Sequence, residues 1–571
     1  MSTASTRSRN RKKKRGPTAV APKGKATEPA ISEPAPSREM SERAWRIVGV
    51  CILLVAALLR FYNLNLVPLH HDEGVNGNFL IRLVREGFYQ YDPANYHGPT
   101  IYYFAAIIPW VLRFLFGAAA QDKYGLNSIT IRLVPAIFGL ATVWLVLLLR
   151  RRLGTIGTLT AAALLAISPG AVYLSRYFIH ETLFVFFTLG LVVAALRYYE
   201  EKHPIYLVLA ACSAALLFAS KETAIISAAV LLIAFVVTHV YRRLRREDLS
   251  GARGKRRAAG HTERSTSVSG FVEELGGTPK VAVQGLIAIA IFIALNVLFY
   301  SSFFTNYPKG VYDSLRTFNF WTKTGQLAHV HPLNTYIYWL IKQESPTLFL
   351  ATIGAALIVW KPRNSFALFV ALWGFGILAA YSLISYKTPW LALNFIVPLA
   401  LTAGYGLQMI WDEGWGQLRM IVGIMVLAVA ISGYQTIDLN FFNYDNDAQY
   451  YVYVYAHTRR ETLAMLAEID RVVARTNQGG ETGITIVAPE YWPLPWYFRD
   501  FTRVAYTGRM TPSTEPIIIA SEGQKEEMES MFGKDYQQVS SGKNDVGSFS
   551  LRPGVNFLLY VRRDLVPTPP Q

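Results

Sequence analysis

The sequence predicts an α-helical polytopic membrane protein of about eleven spans, with external juxtamembrane helices and a C-terminal external α/β domain. Only 17% of its 571 residues are charged, against the roughly 25% typical of soluble domains. Hydrophobic residues make up 52% of the chain and fall into runs of about 18–24, the length that crosses ~30 Å of hydrocarbon. From about residue 440 the long runs stop. There HTRRETLAMLAEIDRVVART carries apolar residues at helical spacing, ITIVAP and PIIIAS read as short buried strands, and EGQKEEMESMF reads as another helix.

Taken in order, residues 1–44 form a basic tail, RSRNRKKKR followed by a Pro/Ala/Ser/Glu-rich stretch, expected to be disordered and cytoplasmic. The net charge is +17, gathered in this tail and in 242–257, both beside apolar helices. Such charges act as topological anchors or meet anionic headgroups, and no nucleic-acid-reading motif accompanies them. A first span at 45–64 then places 65–128 outside. Residues 99–116, PTIYYFAAIIPWVLRFLF, are long enough to cross, but crossing would put Arg150, Arg151 and Arg152 outside, against the positive-inside rule. With Tyr102, Tyr103, Trp110, Arg113 and a central Pro109, this stretch suits a helix lying in the interface.

Spans at 129–149, 155–174, 180–198, 204–220 and 223–241 then alternate to a basic, Gly/Ser-rich cytoplasmic loop at 242–280, expected to be flexible. A span at 281–301 opens a second external loop, 302–345. Spans at 346–360, 364–384, 389–411 and 417–435 complete a transmembrane domain at 45–438, and 439–571 form the external domain. The chain is thus expected in the plasma membrane with its N-terminus cytoplasmic. Cys51 and Cys212 lie inside apolar runs and read as inert small hydrophobes.

This topology collects ionisable residues at the external ends of the spans, where they are expensive and mark a pathway or site. Asp72 and Glu73 follow the first span in HHDEGVN. Arg132 opens the second, Arg176, His180 and Glu181 lie in LSRYFIHETLF, Lys221 and Glu222 in ASKETA, and Lys387 in SYKTPW. A phosphate leaving group needs cations, which Arg132, Arg176, Lys221 and Lys387 can supply. An acceptor hydroxyl needs a carboxylate to take its proton, and Asp72 is the candidate base. Asp72-Glu73 also fits a helix N-terminus before VNGNFLIRLV, so one acid can cap while the other catalyses.

His70, His71, His97, His180, His329 and His331 are all expected outside. The alternating spacing of His329 and His331 predicts one face of an extended, substrate-contacting loop. A divalent cation held by histidines and Asp72 stays open as an alternative, although no HExxH-type spacing supports it, and no cofactor is expected to be required. The aromatic run APEYWPLPWYFRDFT at 488–502 reads as a sugar platform, as domain core or as a segment resting on the membrane surface.

An acidic pair after the first span, then HGPTIYYF, IRLVPAIFGLATVWLVLLLRRRLG and LSRYFIHETLFVFFTLGL, resembles the GT-C superfamily of membrane glycosyltransferases. The order of these motifs is similar to that in protein O-mannosyltransferases and the lipid A aminoarabinose transferase. HHDEGVN, YHGPTIYY, SKET, KTPWL and WPLPWYFRD also resemble a bacterial and archaeal family labelled glycosyltransferase-like or associated with lipid-linked sugar flipping. The resemblance covers roughly 45–240, and more loosely the spans to 435. It implies transfer of a sugar from a polyprenyl-phosphate donor to a protein or glycolipid acceptor outside. By it Asp72 matches the catalytic Asp with Glu73 as partner, Arg132 and Arg176 match recurrent external arginines, and Lys221 falls near the lipid phosphate. His71, His97, Tyr102, His180, Glu181, Glu222, His329 and His331 are the expected substrate contacts. The pattern departs at HGPTIYY, where His97 and Gly98 replace a cation common in relatives. The alternative function is a transport or flipping factor that holds the same headgroup without catalysis.

Overall fold

The computed structural model describes residues 40–94, 97–252, 272–324, 329–413, 418–445, 451–541 and 547–566. Most of the basic tail, Tyr96 and much of the 242–280 loop lie outside the described residues. Each expected apolar run is helical. The helices are α1 Glu42–Phe61, α2 His71–Glu86, α3 Thr100–Phe116, α4 Ser128–Leu147, α5 Thr155–Ala166, α6 Pro169–Ser175, α7 Glu181–Glu201, α8 Pro204–Phe218 and α9 Ala224–Ala252. There follow α10 Thr278–Tyr300, α11 Lys309–Thr324, α12 Thr335–Gln343, α13 Ser345–Trp360, α14 Ser365–Leu383, α15 Leu393–Asp412 and α16 Leu418–Ile437.

The chain is a multi-pass membrane protein. Among the described residues, eight helices are long and apolar enough to cross a membrane, and nine if α5 and α6 count as one span. The other two expected spans, α8 and α13, have 15 and 16 residues. Helix α3 buries Tyr102, Tyr103 and Ala106 and leaves Trp110, Phe114 and Phe116 bare, an apolar flank turned away from the protein.

The run at 155–174, expected as one helix, is broken. Helices α5 and α6 meet at a 57° bend. Ser168 caps the second half by accepting from the Ala171 amide at 3.1 Å, and Pro169 occupies the first turn, where its missing N–H does no harm. Glu344, at the head of α13, braces the break. Its carboxylate accepts from the Ser168 hydroxyl at 2.7 Å and the Gly170 amide at 2.9 Å. At the centre of the bundle α15 passes α13 and α5 at backbone distance, since a Cβ on Gly406 would stand 2.5 Å from the Gly354 Cα and one on Gly404 2.2 Å from the Gly157 carbonyl. Small residues permit that approach in a lipid environment.

The C-terminal domain is a mixed sheet in the order β2-β1-β3-β6-β4, with β5 also on β6. The strands are β1 Ile484–Ile486, β2 Val504–Tyr506, β3 Ile517–Ser521, β4 Tyr536–Val539, β5 Phe549–Arg552 and β6 Val555–Arg562. β1 runs parallel to β2 and β3, and β6 antiparallel to β3, β4 and β5. Helix α17 Glu461–Thr476 covers one face with Met465, Ile469 and Val472, and α18 Lys525–Phe532 covers the other with Met528 and Phe532. Cover on both faces explains why PIIIAS is apolar throughout rather than alternating.

Candidate active site

Helix α2 begins at the acidic pair and is capped by His70 together with Glu73. The Asp72 amide donates to His70 Nδ1 at 3.0 Å, and Glu73 Oε2 accepts from the His70 amide at 3.1 Å. This reciprocal box satisfies amides that a helix start otherwise leaves bare. Gly87 ends the helix with φ of 70°, a left-handed conformation that favours glycine.

The two acids then diverge. Glu73 is fully buried and locked to Arg132, whose Nε donates to Oε1 at 2.7 Å and whose NH2 donates to Oε2 at 2.5 Å. The same carboxylate accepts from the Phe178 amide at 2.9 Å. Arg132 gives its other donors to the carbonyls of Leu64, Val67 and Pro68, which commits all five of its N–H groups to the framework. Arg176 is turned to the end of α1, where it donates to the carbonyls of Leu59, Arg60, Tyr62 and Asn63 and lies 4.8 Å over the Phe441 ring. Both arginines, expected to hold a phosphate, are seen here tying the segment after α1 to the bundle.

A second set of groups converges on Asp72. The HGPT segment seats on the 219–222 turn: Gly98 donates to the Ser220 carbonyl at 3.1 Å, and the Thr100 and Ser220 hydroxyls meet at 2.8 Å. Any Cβ on Gly98 would stand 2.1 Å from the Ala219 carbonyl, so the contact requires glycine. This seating brings His97 Nδ1 to 2.9 Å from Glu222 Oε2, while His180 Nε2 meets the Gly98 carbonyl at 2.9 Å. Lys221 Nζ donates to Glu181 at 2.5 Å, with both side chains buried. Tyr102 donates to Asn76 at 2.9 Å, joining α3 to α2.

Asp72 differs from the acids around it. Glu73 faces Arg132, Glu181 faces Lys221 and Glu222 faces His97, whereas the Asp72 carboxylate accepts no hydrogen bond from another described residue. Its nearest basic atom is His70 Nδ1 at 3.9 Å, and its side chain is 24% exposed against 0% for Glu73. Burial raises the Asp72 carboxyl above its usual range; the charge of Glu181 adds to this, and His71, His97 and Lys221 moderate it. Burial also pulls both His70 and His71 down to about 4. His70 is therefore neutral at pH 7. With Nδ1 accepting from the Asp72 amide, its Nε2–H donates to the Tyr455 carbonyl at 3.0 Å.

Val330 bridges to Tyr386, which carries His329 and His331 alongside Lys387. The two histidines do not share a face. His329 takes φ of 51°, breaking the alternation. Its ring packs on Tyr386 and its Nδ1 lies 2.8 Å from the Tyr455 hydroxyl, while His331 packs on Trp339. Lys387 is buried and donates to the carbonyls of Ile384 at 2.5 Å and His331 at 3.2 Å. Among the described residues, no three His, Cys, Asp or Glu side chains are grouped to hold a metal ion.

Tyr455, His457 and Arg552, from the C-terminal domain or its lead-in, carry no site signal in the sequence, and Glu490 lies in the aromatic run at 488–502. His457 stacks within 5.3 Å of His70, and Arg552 pairs with Glu490 beside Trp492, whose ring is 6.2 Å from that of His71. The aromatic run at 488–502 is a plug. Pro493 and Trp496 press on the glycine face of α2 at Gly74 and Gly77, the Leu69 amide donates to the Tyr497 hydroxyl at 2.9 Å, and Arg85 pairs with Asp500 at 2.6 Å. A Cβ on Gly77 would stand 2.4 Å from the Trp496 ring. Gly77→Ala is therefore expected to weaken docking by about 1–3 kcal/mol, the usual cost of overpacking. Limited proteolysis should release the domain faster in this variant; an unchanged rate would mean the seat is soft.

Comparison with known proteins agrees with this architecture. Residues 105–250 match the family described as dolichyl-phosphate-mannose-protein mannosyltransferase. The fold is similar to that of ArnT from Cupriavidus metallidurans bound to undecaprenyl phosphate, at a TM-score of 0.59 and 14% identity over 93% of this chain and 100% of that one. It is also similar to the Archaeoglobus fulgidus oligosaccharyltransferase, at a TM-score of 0.51 and 14% identity over 90% of this chain and 74% of that one. No curated protein sequence matches significantly. The family match is confined to residues 105–250, and the likeness to the two solved structures is one of fold.

Proposed function

We propose that this protein moves a sugar from a polyprenyl-phosphate donor to a hydroxyl acceptor, on a protein or glycolipid, at the external face. The observation that carries the reading is the state of Asp72, an ionisable carboxylate without a cation partner at the head of a rigidly capped helix. In the proposed step the acceptor O–H loses its proton to Asp72 as its oxygen attacks the anomeric carbon. The bond from that carbon to the phosphate oxygen breaks, and the electron pair leaves with the lipid phosphate. Lys221, held at rest by Glu181, and Lys387 are the cations proposed to meet the developing charge. Direct displacement inverts the anomeric centre.

The test is transfer of labelled sugar from a polyprenyl-phosphate donor by the purified protein in proteoliposomes. Product formation supports the assignment. Donor crossing to the other leaflet with no product would overturn it in favour of transport.

The pH profile sharpens the test. A general base works only when ionised, so the rate should fall as pH drops through the Asp72 pKa, which burial and Glu181 hold above the ordinary 3.8. Glu181→Gln removes a charge that raises this pKa and frees Lys221, which lowers it, so the acid limb should move to lower pH. A limb that stays put would point to a different base.

A further inference from the structure

We infer a second, anion-binding site at the opposite end of the bundle, built to take the phosphate headgroup of an anionic phospholipid. Helices α4 and α7 start beside the acidic site, at Arg132 and Glu181, and run away from it. Helix α7 has 21 residues, so its last residues lie about 30 Å from its first. At that far end a cleft of about 740 Å³ opens, lined by Arg151, Arg152, Arg242 and Arg363 with Glu200 and Glu201.

These arginines come from separate parts of the chain: the turn after α4, the exit of α9 and the turn before α14. Two of the four are turned to water, Arg151 at 72% and Arg363 at 50% side-chain exposure. Arg152 is paired with Glu200 and Arg363 with Glu413 at 2.9 Å, while Arg151 stands 3.9 Å from Glu201, too far for a hydrogen bond. Arg242 makes no hydrogen bond or ion pair with a described residue. The lining therefore keeps an excess of cationic donors over carboxylates, with guanidinium forks that suit phosphate oxygens.

The surroundings favour a lipid over a soluble anion. The cleft is much larger than a phosphate ion and leaves room for the glycerol that a headgroup carries. Exposed apolar side chains lie close in sequence to two of its arginines, Val240 and Leu244 either side of Arg242 on α9, and Val359 and Trp360 at the end of α13 before Arg363. Tyr241 joins these helices through the Val359 carbonyl at 3.4 Å. Acyl chains can follow these faces while the phosphate sits among the arginines. The sequence placed this end on the cytoplasmic side, where anionic headgroups act on basic residues.

The test uses the full chain in phosphatidylcholine nanodiscs doped with phosphatidylglycerol, with retained phosphatidylglycerol counted by native mass spectrometry. Wild type should keep the anionic lipid, and the Arg151→Ala/Arg242→Ala/Arg363→Ala variant should keep about tenfold less, the equivalent of about one strong phosphate contact. Arg242→Gln, which removes no bond to a described residue, gives the same direction if the triple variant fails to fold. Retention in both variants equal to wild type would overturn the site. Inorganic phosphate alone, titrated in pure phosphatidylcholine discs, should bind far more weakly than the lipid. Equal binding would overturn the lipid assignment and leave a soluble-anion site.

Discussion

Asp72→Asn should cut sugar transfer by about 10²–10⁴-fold, the range that a positioned general base contributes. The substitution is nearly isosteric and leaves the helix cap intact, because position 72 takes part in the cap through its backbone amide, which donates to His70. The carboxylate accepts no hydrogen bond from another described residue, so no bond in the framework is lost. Melting temperature and monodispersity in detergent should therefore match wild type while kcat collapses. Activity above about one tenth of wild type, a loss smaller than general-base catalysis supplies, would remove Asp72 from the proposed mechanism.

The neighbouring acid should fail in the opposite way. Glu73→Gln leaves the buried Arg132 charge without its counter-charge, and breaking such a pair costs about 3–5 kcal/mol. One carboxylate here gathers two bonds from Arg132 and the amides of His70 and Phe178. Losing it loosens α1, α2, α4 and the turn before α7 together. The expected result is low yield and a sharply lower melting temperature, with any residual folded protein still active per molecule. A stable but inactive Glu73→Gln protein would contradict the division of labour between the two acids. Two adjacent carboxylates would thus separate chemistry from architecture.

Much of this architecture was legible in the chain. Apolar runs of spanning length marked the bundle, and ITIVAP and PIIIAS marked the central strands of the C-terminal domain. The site was less legible, because a charged side chain in a sequence does not disclose its partner. Arg132 and Arg176 sit at the ends of spans, where a phosphate-binding role is natural, and only the fold shows carbonyls of the first loop meeting their donors. The bend at Ser168-Pro169 was hidden because the apolar pattern runs through it unbroken, while its brace, Glu344, lies far along the chain. WPLPWYFRD was visible as an aromatic run, but its seat on Gly74 and Gly77 depends on a tertiary approach that no local pattern encodes.

The plug also fixes a timetable. The amide of Leu69 and the hydroxyl of Tyr497 are partners across 428 positions of sequence. At ribosomal rates of about 5–20 residues per second, the helix bearing Asp72 emerges roughly 20–90 s before the segment that clamps it. During that interval the glycine face of α2 has no cover from the C-terminal domain. A chain truncated before the plug would therefore carry the described membrane helices and still leave the α2 helix that bears Asp72 without its clamp.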